Sequence, residues 1–440
     1  MQGKVVSNGG VTAFTAGNLP AAAAQTPGHA PDPFRQGVFP RAAAEAIKSS
    51  LGPIQHLDLT AHEVAQAHYE LGTDVGGQVR MFLGKKLEVL DGRQVEAEIR
   101  RARASRAAIL RRLGSPEVTG TVRQALQDYL RSLDAWAAGA GLSGFVRDHL
   151  PGLQVDGIPV GAEDLAMVLQ NESNGCQTGV FREDESTVFL WHTEEDRTYP
   201  GFGRFDKLRL ASFRVVEGGR SRVITAFIYP DLLPGPAFGW SESAYAQAVD
   251  AFYLRPPDGR PGMPANAATW VRLYVGGRST TADVAKALGP FYDGYALSSI
   301  WRTETSLQGD TTEFIANTVV SAPLPEAPGS TAFKVNYLSE AASLAVSDLE
   351  DLHPDRRDVL ERRVSRTERA IKAVAQTDDR VAGFSRLLSS RVGGDFAYAN
   401  EAVKAHFLCR MTREGASIWV GPGPAVYQDQ LFASAWSPAG

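Results

Sequence analysis

The chain divides by the period at which its apolar residues recur. From Arg41 to about His149 the spacing is that of helices with one buried face. Within this stretch Val95–Leu113 sets Val95, Ile99, Ile109, Leu110 and Leu113 beside an arginine-rich side. Thr121–Ala138 likewise gathers Val122, Leu126, Tyr129, Leu130 and Leu133, so both predict amphipathic helices with a solvated face. From Cys176 the texture shortens to β-rich runs: Cys176–Phe181, Thr187–His192, Leu208–Val216, Val223–Tyr229, Trp270–Tyr274, Glu313–Val320, Thr331–Leu338, Phe407–Thr412 and Ser417–Val420. Thr281–Leu288 and Leu349–Ala375 read as helices between them. A helical first third followed by interleaved strands and helices predicts an α+β layered core, without tandem repeats or heptads.

Composition narrows the function classes. A chain of 440 residues holds one large core or two to three average ones, and 43% hydrophobic with 22% charged residues is ordinary for a soluble globular protein. The net charge of −5 argues against a dedicated nucleic-acid binder. No apolar run reaches the roughly 18–20 residues that span a bilayer, so no membrane partner is expected. The two cysteines, Cys176 and Cys409, exclude a disulfide framework and point to a reducing compartment, hence a cytoplasmic location. Residues 1–40 read as a disordered or extended Ala/Gly/Pro leader. An Ala21–Ala24 run precedes Gln25-Thr26-Pro27, but Ser7, Asn8, Gly9, Gly10, Thr12 and Thr15 interrupt any signal-peptide core.

The densest chemistry lies in Asn174-Gly175-Cys176-Gln177, with His192-Thr193-Glu194-Glu195-Asp196 a short strand further on. A backbone cut before Cys176 would free a residue carrying both a thiol nucleophile and an α-amine of pKa near ~7.7–8, a base suited to neutral pH. Gly175 leaves the carbonyl to be attacked uncovered, Asn174 favours a turn, and the strand-like run beginning at Cys176 would hold the new terminus. On residue type alone a lone cysteine such as Cys176 is more often a small buried hydrophobe than a nucleophile, and Asn336 more often a turn residue. Ser365 and Arg366, among Arg362, Arg363 and Arg369, could be part of an exposed charged face. A metal is not expected. His192 stands beside Glu194, Glu195 and Asp196 without a second ligand at metal spacing, and His62-Glu63 with His68 misses the H-E-x-x-H pattern.

From about Glu63 to the C-terminus the chain resembles the acyl-CoA:6-aminopenicillanic-acid acyltransferase family (isopenicillin N acyltransferase / β-alanyl-dopamine hydrolase-like) of N-terminal-nucleophile (Ntn) hydrolases. Glu70-Leu71-Gly72-Thr73-Asp74-Val75-Gly76 is similar to that family's early E-x-G-x-x-x-G helix start. Gly157-Ile158-Pro159-Val160-Gly161-Ala162 is similar to the element that precedes a helix leading to its Gly-Cys bond. His192-Thr193-Glu194-Glu195, Tyr229-Pro230-Asp231-Leu232-Leu233-Pro234-Gly235, Lys334-Val335-Asn336-Tyr337-Leu338 and Ser365-Arg366 follow in the family's order.

The resemblance implies an αββα four-layer sandwich with a helical pro-segment, residues 41–175, ahead of a catalytic core, residues 176–440. It implies self-cleavage between Gly175 and Cys176 into α and β fragments that stay associated. Cys176 then attacks an amide or thioester of a small molecule and passes the acyl group to water or an amine, a reaction that fits bacterial specialised metabolism. Glu195 steadies the α-amine, Asn336 donates to the oxyanion, and His192, Thr193, Ser241, Ser365 and Arg366 bind or support the substrate or the cleavage site. No cofactor is implied. An acyl-CoA or acyl-carrier-protein thioester would serve as a substrate, and a homo-oligomer is left open. The chain departs from the pattern at Glu195 (usually Asp), Ser241 (usually Asn), Asp231 (a turn Gly), Gln177 (Thr or Ser) and Tyr337 (His). These departures motivate an alternative, a non-catalytic Ntn-fold binding or partner protein with a degraded site. A further alternative makes residues 1–175 an independent helical interaction domain.

Overall fold

The computed structural model describes residues 40–170, 176–196, 205, 207–217, 219–242, 244–251, 262–335, 354–390, 398, 402–425 and 433–436. Helices α1 (Arg41–Leu51), α2 (Val64–Val89), α3 (Gly92–Leu113), α4 (Gly120–Gly139), α5 (Leu142–His149) and α6 (Ala162–Leu169) fill most of the N-terminal third. The two amphipathic patterns correspond to α3 and α4. Asp91 starts α3 with a capping box: its side chain accepts from the Gln94 N–H at 2.8 Å, and the Gln94 side chain accepts from the Asp91 N–H at 2.8 Å.

The α4 stripe of Leu126, Tyr129, Leu133 and Trp136 packs with Leu71, Val75 and Val79 of α2. The backbones touch because both helices carry glycine at the crossing. A Cβ on Gly72 would sit 2.2 Å from the Trp136 carbonyl oxygen, and one on Gly139 would sit 2.1 Å from that of Tyr69. Glu70–Gly76, expected to open a helix, therefore lies inside α2, where its glycine serves close helix packing.

The N-terminal third is not helical throughout. Strand β1 (Gln55–Leu59) lies within it, and β2 (Gln154–Val155) and β3 (Ile158–Pro159) form a hairpin. Asp156 and Gly157 turn that hairpin with φ of 54° and 75°, the left-handed conformation that an Asp-Gly pair tolerates.

The remaining strands are β4 (Cys176–Asp184), β5 (Thr187–Glu195), β6 (Arg209–Glu217), β7 (Arg220–Ile228), β8 (Phe238–Ser241), β9 (Tyr245–Ala251), β10 (Gly294–Arg302), β11 (Leu307–Ile315), β12 (Thr318–Pro323), β13 (Thr331–Lys334), β14 (Val403–Thr412), β15 (Ala416–Pro422) and β16 (Ala433–Trp436). Helices α7 (Ala265–Val275) and α8 (Thr281–Leu288) separate β9 from β10. An eight-stranded sheet runs β1-β6-β7-β8-β9-β10-β11-β12, and a six-stranded sheet runs β13-β4-β5-β14-β15-β16. Their pairings are antiparallel except for β1 beside β6, which is parallel.

Two expected strands are corrected. Trp270–Tyr274 belongs to α7, which is buried along its whole length from Ala265 to Val275; a helix buried on every side lacks the one-sided apolar period that would tell it from a strand. Glu313–Val320 is the end of β11, a turn at Ala316 with φ 51°, and the start of β12. Of Thr331–Leu338, the strand extends to Lys334, and 336–338 lie outside the described residues. The helix read at Leu349–Ala375 spans Pro354–Ala375 in the described residues.

The fold is mixed α+β, and its cores show how the elements stack. Helices α2 to α8 share one core with Phe213, Val215, Ile224, Tyr245, Val249, Leu297 and Phe314 on one face of the eight-stranded sheet. The other face meets the six-stranded sheet through Phe227, Phe238, Ala246, Ala248 and Ile300 against Val180, Leu190, Phe407 and Cys409. The outer face of the six-stranded sheet, with Phe181, Phe189, Trp191 and Leu408, is covered by the helices Pro354–Ala375 and Arg380–Leu388. Among the described residues no helix is long and apolar enough to cross a membrane.

Candidate active site

Side chains along a strand alternate between faces, and this parity decides which residues can meet Cys176. Val180 of β4 packs between the sheets, so Thr178 and Cys176 point there too; Phe181 packs under the helices, as do Gly179 and Gln177. On β5, Val188 and Leu190 lie between the sheets, which puts His192 and Glu194 with Cys176. Phe189 and Trp191 face the helices, which puts Thr193 and Glu195 on the opposite side.

Register completes the arrangement. Cys176 pairs with Glu194 and Thr178 with His192. A β-bulge sets this alignment: Asp184 pairs with Thr187 across the turn, but Arg182 pairs with Val188, leaving Glu183 extra. Carried straight down the hairpin, the turn register would have set Cys176 opposite Glu195. A second bulge, between Val403 and Ala405 of β14, flanks the same two glutamates from the other side.

Glu194 is the centre of the cluster. The Cys176 thiol donates to its Oε1 at 3.0 Å, the Tyr229 hydroxyl donates to the same oxygen, and His192 Nε2 lies 2.9 Å from Oε2. All four residues are buried. Burial pushes the Cys176 thiol well above its ordinary pKa; the Glu194 charge and hydrogen bond push it the same way, the Glu195 backbone N–H opposes, and the Asp250 charge adds to the rise. The Cys176 thiol is thus held as a neutral S–H that donates to the Glu194 carboxylate.

By the same parity Asp250, Ser298, Thr311, Glu313 and Lys334 project into this end of the inter-sheet space, continuing the faces of Ala248, Ile300, Leu307 and Ala332. Lys334 Nζ and Glu313 Oε1 form a buried ion pair at 2.6 Å across the two sheets. One end of the inter-sheet layer is therefore polar and charged, and the other is apolar. Cys409 lies in the apolar part, where burial alone pushes its thiol up.

The expected site residues are brought together only in part. Cys176 and His192 join through Glu194, which sequence reading passed over in favour of its neighbour. Glu195 accepts from the Gln177 side-chain amide at 2.9 Å on the helix-facing side, where Thr193 also lies. Ser241 is buried, but follows Trp240 of the inter-sheet core and so faces the helical layer. Ser365 is exposed and Arg366 half-buried on the helix Pro354–Ala375, which covers the other face of the six-stranded sheet. Gly175 and Asn336 lie outside the described residues. Tyr229, Asp250, Glu313 and Lys334 join the site without having been singled out for a role.

The side chains of Cys176, His192 and Glu194 offer a sulfur, an imidazole nitrogen and a carboxylate oxygen that lie within 4.8 Å of one another. The partner that His192 lacked along the sequence comes from the neighbouring strand. No protein-family model matches the chain, and no curated protein matches it.

Proposed function

We propose that this protein is a self-processing cysteine enzyme of the Ntn type, which cuts its own Gly175–Cys176 bond and then hydrolyses an amide of, or transfers an acyl group to or from, a small molecule. The observation that carries the reading is Cys176 at the start of β4, its thiol between two sheets and hydrogen-bonded to Glu194. Attack of the Cys176 sulfur on the Gly175 carbonyl would form a thioester and break the C–N bond. The thiol proton would pass to Glu194 and the freed amine would take up a proton. Water would then hydrolyse the thioester to a Gly175 carboxylate and a free thiol. The stacking of helices, two sheets and helices supports an αββα Ntn sandwich, and the core shared by α2–α8 with the eight-stranded sheet supports retention of the N-terminal fragment.

In the mature enzyme Cys176 would attack the substrate carbonyl, its α-amine would carry the proton, and Glu194, not Glu195, would be the nearby carboxylate. Asn336 is the proposed oxyanion donor, a role that is typically worth several kcal/mol. Intact-mass measurement on purified protein tests the reading: a new N-terminus at Cys176 and a Cys176→Ala chain that stays whole are expected, and an uncut wild-type chain after long incubation would sink it. One observation favours the non-catalytic alternative, the deep burial of a thiol held protonated. Thiol labelling of the native protein separates the two, since an inert Cys176 after prolonged incubation fits a binding scaffold.

A further inference from the structure

We propose that Cys176, His192 and Glu194 form a binding site for a borderline-soft divalent metal, zinc or its spectroscopic substitute cobalt, and that the bound ion masks the thiol. The binding itself needs no self-cleavage; only the consequence, reversible inhibition of maturation, rests on the function proposed above.

The donor set argues for this class of ion. A thiolate and an imidazole select zinc-like metals over magnesium or calcium, which prefer all-oxygen shells. The spacing also fits. Cys176 Sγ is 3.0 Å from Glu194 Oε1, His192 Nε2 is 2.9 Å from Oε2, and all three ligand atoms lie within 4.8 Å of one another. Tetrahedral zinc with bonds of about 2.0–2.3 Å sets its ligand atoms roughly 3.3–3.8 Å apart, so the two glutamate contacts need open by less than about an ångström, and the thiol–imidazole separation, within 4.8 Å, need close by no more than about 1.5 Å. The ligands come from two rigid, paired strands, with Cys176 directly opposite Glu194 and His192 one step along the same face.

Charge favours a dication as well. Glu194 lies against the thiol and Asp250 acts on it electrostatically, so ionising the sulfur without a counterion would add a further negative charge to a buried layer. The Tyr229 hydroxyl already holds one Glu194 oxygen, as an outer partner orients a metal-binding carboxylate. His192 Nδ1 has no hydrogen-bond partner among the described residues, and the ring packs edge-on to Phe238 at 5.5 Å between centroids. Lack of that outer bond is expected to weaken the site about 10–100-fold relative to a fully supported one. Binding would convert the Cys176 S–H to a thiolate and release one proton to solvent. His192 would shift its ring hydrogen from Nε2, which now faces Glu194 Oε2, to Nδ1 and give its Nε2 lone pair to the ion.

The test is a cobalt(II) titration of the full chain followed by absorption, with cobalt added both to folded protein and during refolding. One equivalent is expected to produce a thiolate-to-cobalt charge-transfer band that zinc abolishes. Cys176→Ser should remove the band, His192→Ala should weaken binding at least about tenfold, the loss expected when a metal site is disturbed, and Cys409→Ala should leave it intact. Absence of the band in wild type under both conditions, or its survival in Cys176→Ser, would overturn the site. Intact mass on the same samples reports self-cleavage separately. A chain that binds cobalt but is never cut even after a chelator has stripped the metal refutes the processing reading alone; a chain that is cut but never shows the band refutes the metal site alone.

Discussion

Replacing Glu194 by glutamine keeps the size of the side chain and removes the carboxylate that accepts the Cys176 proton. The two glutamates, adjacent in sequence, then separate two explanations of the site. Glu194 is 3.0 Å from the sulfur, within proton-transfer reach; Glu195 bonds Gln177 on the opposite face of the sheet. A positioned base contributes about 10²–10⁴ in rate, which corresponds to roughly 3–5 kcal/mol of barrier. Glu194→Gln should therefore slow self-cleavage by that factor, read as the fraction of uncut chain against time, while Glu195→Gln should stay within about threefold, less than 1 kcal/mol.

The same substitution should ease ionisation of the thiol, because burial and then the Glu194 charge are the leading causes holding it protonated. In a Cys409→Ala background, where Cys176 is the only remaining thiol, thiolate ultraviolet absorbance should appear at lower pH in Glu194→Gln than in the parent. Slower cleavage with easier ionisation is the expected signature, read in a variant whose urea melt matches the parent's, because unfolding would also lift the burial that holds the thiol protonated. If Glu195→Gln slowed cleavage more than Glu194→Gln, or if Glu194→Gln made the thiol harder to ionise, the assignment of the base would be refuted.

Other perturbations reach the scaffold around this site. Asp293 accepts from the Ala265 N–H at 2.6 Å, and burial raises its carboxyl pKa from 3.8 to about 7. Between those values the folded chain binds more protons than the unfolded one, so this group's contribution to stability falls as pH rises from about 4 to 7. The shift corresponds to about 4 kcal/mol at most, so Asp293→Asn should gain on the order of 2–4 kcal/mol at pH 8 and almost nothing at pH 4 in urea melts; an equal effect at both pH values would contradict this. Lys334→Met should cost about 3–5 kcal/mol by stranding the Glu313 charge, and adding Glu313→Leu should recover much of that loss. A double variant no more stable than Lys334→Met would show that the pair is not coupled. Gly72→Ala should lower the melting temperature sharply, because its Cβ would meet the Trp136 carbonyl oxygen at 2.2 Å and backbone cannot move aside as a flexible side chain can; an unchanged melt would show that the helices are not in that contact.

How far the sequence revealed these features depended on local pattern. Helices α3 and α4 were legible because each has one apolar face and one charged face. Strands β4 and β5 were legible because their apolar runs flank a turn at Glu185-Ser186. Strands β9 and β10 were missed, since Tyr-Ala-Gln-Ala-Val-Asp-Ala and Gly-Tyr-Ala-Leu-Ser-Ser-Ile-Trp-Arg are buried on both faces and mix small and polar residues across them. Cys176 stands out as a candidate nucleophile in the sequence because Asn174 and Gly175 precede it and a strand-like run begins at it. The choice between Glu194 and Glu195 was not, because it turns on one bulged residue, Glu183, whose effect appears only in the pairing of two strands. Lys334 and Glu313 meet across two sheets, which no local pattern reveals.

The central claim is that Cys176 is made into an N-terminal nucleophile, and intact-mass analysis of freshly purified and aged protein tests it most directly. The account predicts two co-purifying fragments, residues 1–175 and 176–440, with free cysteine at the start of the second, and a Cys176→Ala chain that stays whole. A wild-type chain that remains a single 440-residue species under every condition would contradict it.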